Sequence, residues 1–190
     1  VLSITSLPFA TTQINAQITP EQVATIKNVG SSAISPNGLF TAYTLSVPAD
    51  AKKENAGNKS LLYIVNNTTG IARSYYTSSS VSQIAFRPNK GTVTFLTRAA
   101  NDKINAVYEI SLEGGEAAKL FAHTANIVSY QWANDGEQIA FISMEKANQP
   151  KTDLAYAPTF FEENYDLRNA YVVQVNNGKA QQLNVKGSAY

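Results

Sequence analysis

Apolar and polar residues alternate along most of this chain, and one hairpin pattern interrupts the alternation three times. Its copies are Ile34-Ser-Pro-Asn-Gly-Leu-Phe-Thr-Ala-Tyr43, Phe86-Arg-Pro-Asn-Lys-Gly-Thr-Val-Thr-Phe95 and Trp132-Ala-Asn-Asp-Gly-Glu-Gln-Ile-Ala-Phe141. Each opens on a large apolar residue and closes nine positions later on an aromatic. Between lie Pro, Asn, Asp and Gly, residues that reverse a chain tightly, so each copy reads as a strand end, a turn and a strand start. The copies begin at residues 34, 86 and 132, steps of 52 and 46. A β unit repeating with a period near fifty points to propeller blades or a related array.

The same alternation predicts four strands per unit. In the first unit Ala33-Ile34 ends a strand, and Phe40 to Val47, Leu61 to Val65 and Ile71 to Tyr76 form the next three, the last after the turn Asn67-Thr-Thr-Gly70. The second unit has Val81 to Phe86, Thr92 to Thr97, Ala106 to Leu112 and, after Gly114-Gly115, Ala117 to Phe121. The third has Ile127 to Trp132, Gln138 to Ser143, Ala170 to Val175 and, after Asn177-Gly178, Gln181 to Val185. A tyrosine recurs in every third strand, at Tyr63, Tyr108 and Tyr171. Four strands joined by tight hairpins make a propeller blade. The expected fold is therefore all-β, a partial β-propeller of three four-stranded antiparallel blades over residues 31–78, 79–124 and 125–190.

Residues 17–30 form a lead-in to the first blade. Thr19-Pro-Glu-Gln22 reads as a helix start, with Thr19 as cap, Pro20 in the first turn and Gln22 at the reciprocal capping-box position. Val23, Ala24 and Ile26 give the helix an apolar side, and Asn28-Val-Gly30 is expected to end it. So short a helix is unstable alone and is expected to dock on the strands after it. Residues 1–16 carry no charge and read either as the back half of a secretory signal peptide cut after Ala16 or as a disordered tail.

The repeat also shows where it is broken. From the closing aromatic of the hairpin to the recurring tyrosine there are 20 residues in the first unit, 13 in the second and 30 in the third. The third unit thus carries an insertion from about Glu145 to Arg168, and a loop that long in a compact repeat is either functional or disordered. Three blades cannot close a ring of four to eight, and an open ring leaves strand edges or a bare blade face exposed. The chain is accordingly expected to be the front piece of a longer protein.

Composition narrows the chemistry. The 190 residues include 15 Lys plus Arg and 14 Asp plus Glu, a net charge of +1, so the basic excess of a nucleic-acid binder is missing. There is no cysteine, which excludes disulfides, thiolate zinc sites and cysteine nucleophiles. The single histidine, His123, rules out a multi-histidine metal centre within the chain, and no Asp-x-Asp spacing suggests calcium. No metal site and no cofactor is expected. No apolar run approaches the length that spans a membrane as a helix.

Ile18-Thr-Pro-Glu-Gln, Val29-Gly-Ser-Ser-Ala-Ile-Ser-Pro-Asn-Gly38 and Ala42-Tyr43 resemble the start of bacterial prolyl-oligopeptidase-family serine peptidases, which include dipeptidyl and acylaminoacyl peptidases. Phe86-Arg-Pro-Asn and Trp132-Ala-Asn-Asp-Gly136 resemble diverged forms of that family's Trp-Ser-Pro-Asp-Gly turns, and similar turns occur in periplasmic propellers of the TolB type. The resemblance implies a propeller that gates a carboxy-terminal α/β-hydrolase domain holding Ser, Asp and His, in an exported, periplasmic or secreted enzyme acting on short peptides. The chain itself contains no Gly-x-Ser-x-Gly nucleophile elbow. The alternative is a non-catalytic TolB-like propeller for protein binding or scaffolding.

The residues with candidate chemistry are few. His123 is the one possible general base, but a triad also needs a placed nucleophile and acid, so it is expected to be a surface-loop histidine. Glu162 and Glu163 could hold the ammonium of a peptide amino terminus, as propeller carboxylates do in aminopeptidase-like members of the family. Tyr165 would flank that site and Arg168 would keep the acids ionised. The alternative is a solvated loop in which Phe160, Phe161 and Tyr165 fill space between blades. Asp102, Lys103, Glu113, Glu116 and Asp153 read as isolated turn charges. Asn58-Lys-Ser60 and Asn67-Thr-Thr69 match the glycosylation pattern without further support.

Overall fold

The structure is a computed structural model, and it describes residues 18–50, 52–53, 56–145 and 166–184. Its strands fall into three separate four-stranded antiparallel sheets, each built from consecutive strands. The first holds β1 (Asn28–Ile34), β2 (Phe40–Val47), β3 (Lys59–Asn66) and β4 (Ala72–Tyr76). The second holds β5 (Val81–Phe86), β6 (Thr92–Thr97), β7 (Ala106–Ser111) and β8 (Ala118–Phe121). The third holds β9 (Asn126–Trp132), β10 (Gln138–Glu145), β11 (Leu167–Gln174) and β12 (Ala180–Gln182). β1 adjoins β5 and β5 adjoins β9, so the leading strands gather on one side and the sheets fan outward as blades.

The three hairpins close alike. Ser35, Arg87 and Ala133 each donate their N–H to the carbonyl five residues on, at 2.8, 3.2 and 2.9 Å. In the first and third copies the left-handed residue is a glycine, Gly38 at φ 70° and Gly136 at φ 71°. The second copy has Lys90 there and takes the left-handed conformation one position earlier, at Asn89 (φ 59°). Asparagine tolerates that region better than other side chains.

The short helix α1 (Pro20–Ala24) begins as expected. Gln22 N–H donates to Thr19 Oγ1 at 3.2 Å and Thr19 N–H to Gln22 Oε1 at 2.9 Å, the two halves of a capping box. Two expectations about it fail. None of its residues is buried, and Val23 and Ile26 remain 56% and 50% exposed rather than docked. Asn28-Val-Gly30 belongs to β1 and does not terminate the helix. Gly30 answers a different need: Ser31 N–H donates to Thr44 Oγ1 at 2.9 Å, and a Cβ on Gly30 would lie 2.7 Å from that oxygen. The β1–β2 register shifts between Val29 and Ser32, so the glycine marks a strand irregularity and a close approach.

The core consists of two seams between blades. Ala42, Leu62 and Ile64 of blade 1 pack with Phe86, Val93, Phe95 and Ile110 of blade 2. Leu96, Val107 and Phe121 of blade 2 pack with Ile127, Tyr130, Ile139, Phe141, Tyr171 and Val173 of blade 3. Period-2 alternation sends neighbours on β6 to opposite seams, which is why nearly all of that strand is buried. The outer blade faces differ: on blade 1 Tyr43 stacks on Tyr63 (centroids 5.6 Å apart) and Ile34 is 65% exposed, and on blade 3 Ile142 is 39% exposed.

The second seam carries polar anchors as well. The Thr94 hydroxyl, fully buried, accepts from the Tyr130 hydroxyl and from Trp132 Nε1, both at 2.9 Å, and donates to Ala85 O at 3.1 Å. Arg87 donates from Nε to Gly136 O at 2.8 Å and from Nη1 to Glu109 at 3.2 Å, with its guanidinium 4.8 Å from the Trp132 ring centroid. Gly136 itself is pressed on blade 2, where an added Cβ would fall 2.2 Å from Pro88 O.

The seam makes two stability predictions, both read as urea midpoints. Gly136→Ala combines left-handed strain with a backbone clash and costs well over the ~1–2 kcal/mol of strain alone, whereas Gly38→Ala, with open space around it, costs only that strain. Equal losses in the two variants would mean that the blades do not meet as described. Thr94→Val keeps the shape but strands the buried Tyr130 hydroxyl and the half-buried Trp132 N–H, a loss of about 2–4 kcal/mol at ~1–3 kcal/mol per donor, and Thr94→Ser recovers most of it.

Candidate functional site

Antiparallel order assigns the connections to two ends of each blade. One end carries the tight hairpins, and the other carries the links between second and third strands (48–58, 98–105 and 146–166) and the links between blades (77–80 and 122–125). Apart from Tyr130, whose phenol is pushed up by burial within the seam, the side chains with unusual electrostatics collect at this second end, in blades 2 and 3.

Of the site foreseen from sequence, Arg168 lies near the start of β11, exposed and opposite Met144. Glu162, Glu163 and Tyr165 lie outside the described residues, so their grouping with Arg168 remains an expectation. Two other readings change. Asp102 is not an isolated turn charge: it accepts from Lys119 Nζ and from the Tyr108 hydroxyl (2.7 Å). His123 is not a free surface-loop residue, because its half-buried ring sits 4.6 Å from the Tyr171 centroid and 5.2 Å from that of Phe141.

The recurring tyrosine explains part of this cluster. Tyr108 and Tyr171 occupy the same place in β7 and β11, facing Phe95 and Phe141 across the ladder. Each stacks on that phenylalanine, and each hydroxyl donates to an acid at the second end: Tyr108 to Asp102, and Tyr171 to Glu145 Oε1 at 2.5 Å. The recurrence was visible in the sequence. The acids were not, because Asp102 comes from a loop and Glu145 from a strand end, at different spacings from their tyrosines.

Each group is tuned accordingly. The hydrogen bond from Lys119, helped by that from Tyr108, holds the Asp102 carboxyl below its usual value. Burial and then the bond to Asp102 push the Tyr108 phenol up. The bond to Glu145 and then burial do the same for Tyr171, since ionising it would set two anions together. Burial lowers the His123 imidazole, against a smaller opposing pull from Glu145. A neutral, aromatic-clamped histidine serves packing, and no serine nucleophile is placed beside it among the described hydrogen bonds.

A cavity of about 430 Å³ opens at the second end between blades 2 and 3, lined by Arg98, Lys103, Ile104, Asn126, Met144 and Asp166 among others. A smaller one of about 240 Å³ lies at the hairpin end of the first seam, where the Tyr75 hydroxyl donates to Leu112 O at 2.6 Å. No cluster of three or more His, Asp or Glu side chains that could hold a metal occurs among the described residues. No helix among them is long and apolar enough to cross a membrane.

Comparison with solved structures decides the architecture. The chain matches an acylaminoacyl peptidase of Pyrococcus horikoshii over 86% of its own length at TM-score 0.62 and 13% identity. The fold is a partial β-propeller. That match spans 26% of the peptidase, so the chain corresponds to about a quarter of it. TolB from Acinetobacter baumannii matches 81% of this chain with 32% of its own, at TM-score 0.55 and 14% identity. An oligogalacturonate lyase, solved in complex with manganese, matches 81% with 40% of its own, at TM-score 0.53 and 14% identity. No family model matches the chain, and no curated protein matches it in sequence. Propellers of this shape thus serve unlike chemistries, and the blades alone do not choose among them.

The half-buried histidine makes stability depend on pH. With its folded value below the ordinary 6.5, the unfolded chain takes up a proton that the folded chain refuses, so stability is complete above that pH and falls as pH drops through it. The slope is at most about 1.4 kcal/mol per pH unit for one proton. Urea midpoints taken between pH 7.5 and 5.5 decline for the wild type, and His123→Phe, which keeps the aromatic contacts, flattens the decline.

Proposed function

We propose that this chain is the N-terminal part of the substrate-gating propeller of an exported serine peptidase that cleaves short peptides, with the catalytic Ser, Asp and His lying outside residues 1–190. The observation that carries this reading is the match of 86% of the chain to about a quarter of an acylaminoacyl peptidase. The turn sequences resembling the prolyl-oligopeptidase family support it. A propeller set over a hydrolase site admits flexible, narrow substrates and turns folded proteins away, so it supplies selection by size. In this reading the link between β10 and β11 reaches substrate, and Glu162 and Glu163 hold its amino terminus with Tyr165 and Arg168 beside them. A second reading, a TolB-like binding or scaffolding propeller, draws on the match to TolB from Acinetobacter baumannii.

The two readings separate on the protein that carries this chain. Under the peptidase reading, a fluorophosphonate probe labels a serine outside residues 1–190, and short peptides are hydrolysed while casein is spared. Glu163→Gln then raises KM about tenfold or more for substrates with a free amino terminus, the loss of one charge-assisted hydrogen bond of ~1.5–3 kcal/mol, and leaves amino-blocked substrates unchanged. No labelling and no hydrolysis would favour the TolB-like reading. Equal effects of Glu163→Gln on both substrate types would remove that residue from the site.

A further inference from the structure

The cavity between blades 2 and 3 is chemically lopsided. Arg98 directly follows β6 and Lys103 stands in the β6–β7 link, so two cations converge on its rim. Neither forms an ion pair or a side-chain hydrogen bond among the described residues. The acid one position from Lys103 is already engaged, because Asp102 takes both Lys119 and Tyr108. Asp166 also lines the cavity but forms no salt bridge with either cation, so among the described residues positive charge is left over.

The wall carries a directional donor and an apolar surface. Asn126 opens β9 and its Oδ1 accepts from Asn105 N–H at 3.0 Å, a bond that ties the blade 2 link to blade 3 and leaves the amide NH2 as a donor. Ile104 and Met144 supply the apolar surface. Both are only partly buried, so they remain available to a ligand. At about 430 Å³ the space lies within the range of small-ligand pockets and suits one or two amino-acid residues.

We infer that this cavity binds the carboxylate end of a short peptide whose last side chain is apolar. Arg98 and Lys103 take the carboxylate, Asn126 donates to it or to the adjoining peptide carbonyl, and the side chain rests on Ile104 and Met144. A guanidinium matches a carboxylate in a planar, two-point contact, which an amide cannot return. The preference for a peptide over other carboxylic acids rests on the function proposed above. The site itself rests on the cavity and its charges.

Calorimetric titration of the protein with N-acetyl-Ala-Leu at low salt tests the assignment without any catalytic step. One saturable site is expected. The C-terminal amide of the same peptide binds at least tenfold more weakly, as does N-acetyl-Ala-Glu. Arg98→Gln and Lys103→Gln each weaken the free acid about three- to tenfold with unchanged melting curves, and Met144→Asp discriminates against the leucine side chain. No saturable binding, or equal binding of acid and amide, would overturn the site. Hexanoate binding as tightly as the peptide would keep the anion site but overturn its assignment to peptides. Because binding is read directly, a failure of the peptidase assay leaves this result intact, and the converse also holds.

Discussion

The blades share no strand ladder among the described residues, so side-chain packing, hydrogen bonds from side chains and the short links in the chain hold one blade to the next. Three sheets stand separate, and most of what fixes their relative position passes through the two seams. Apolar packing in those seams supplies most of the stabilisation, but packing alone tolerates sliding. The Thr94 hydroxyl and the Arg87 guanidinium remove that freedom, because a buried donor displaced from its acceptor costs more than a hydrogen bond is worth when made. Tyr130, Trp132 and Gly136 must therefore meet blade 2 in one register. The second end of the blades, with its cavity and acid–tyrosine pairs, inherits its geometry from that constraint.

Much of the fold was legible because hairpin chemistry is local. Pro, Asn and Gly at fixed offsets announced three turns, and period 2 between them announced the strands, to within a residue for most of blade 2. The failures occurred where a distant contact decided the outcome. Gly30 looks like a helix stop until the Thr44 hydroxyl beneath it is known, and that partner is fourteen residues away in sequence. Val23 and Ile26 have the spacing of a docking face, yet spacing says nothing of whether a surface exists for them to meet. Asn89 shows the reverse case, in which a copy of the turn lacks glycine at the expected place and the backbone finds a left-handed residue next to it.

The site was less legible for the same physical reason. Tyr108 and Tyr171 announced themselves by recurring, but their acid partners arrive from unrelated positions and share no spacing. His123 read as a loop residue because its neighbours in sequence are small and polar, while the rings that clamp it, Phe141 and Tyr171, come from the following blade. Lys103 read as an isolated turn charge beside Asp102, and Arg98 stood out in no pattern. Only the approach of two blades turns them into a rim. The long link after β10 stood out by length alone, a feature that reports where the repeat departs from itself without naming any partner.

The Thr94 node also makes the two sides of the seam between blades 2 and 3 unlike. Donors on the leading strand of blade 3 reach backward to the Thr94 hydroxyl on the second strand of blade 2, while Arg87 and Asn89 of blade 2 reach forward to backbone carbonyls of the blade 3 hairpin. A blade here is thus closer to a keyed tile than to an interchangeable bead. The residues standing where Thr94 does are Ala42 in blade 1 and Ala140 in blade 3, and neither has a hydroxyl to offer. Copying or transposing a blade within such a chain would carry its key to the wrong lock. Kinship among the blades survives in the turns, where each copy answers only to itself, and fades in the seams, where every blade has had to adapt to its own neighbour.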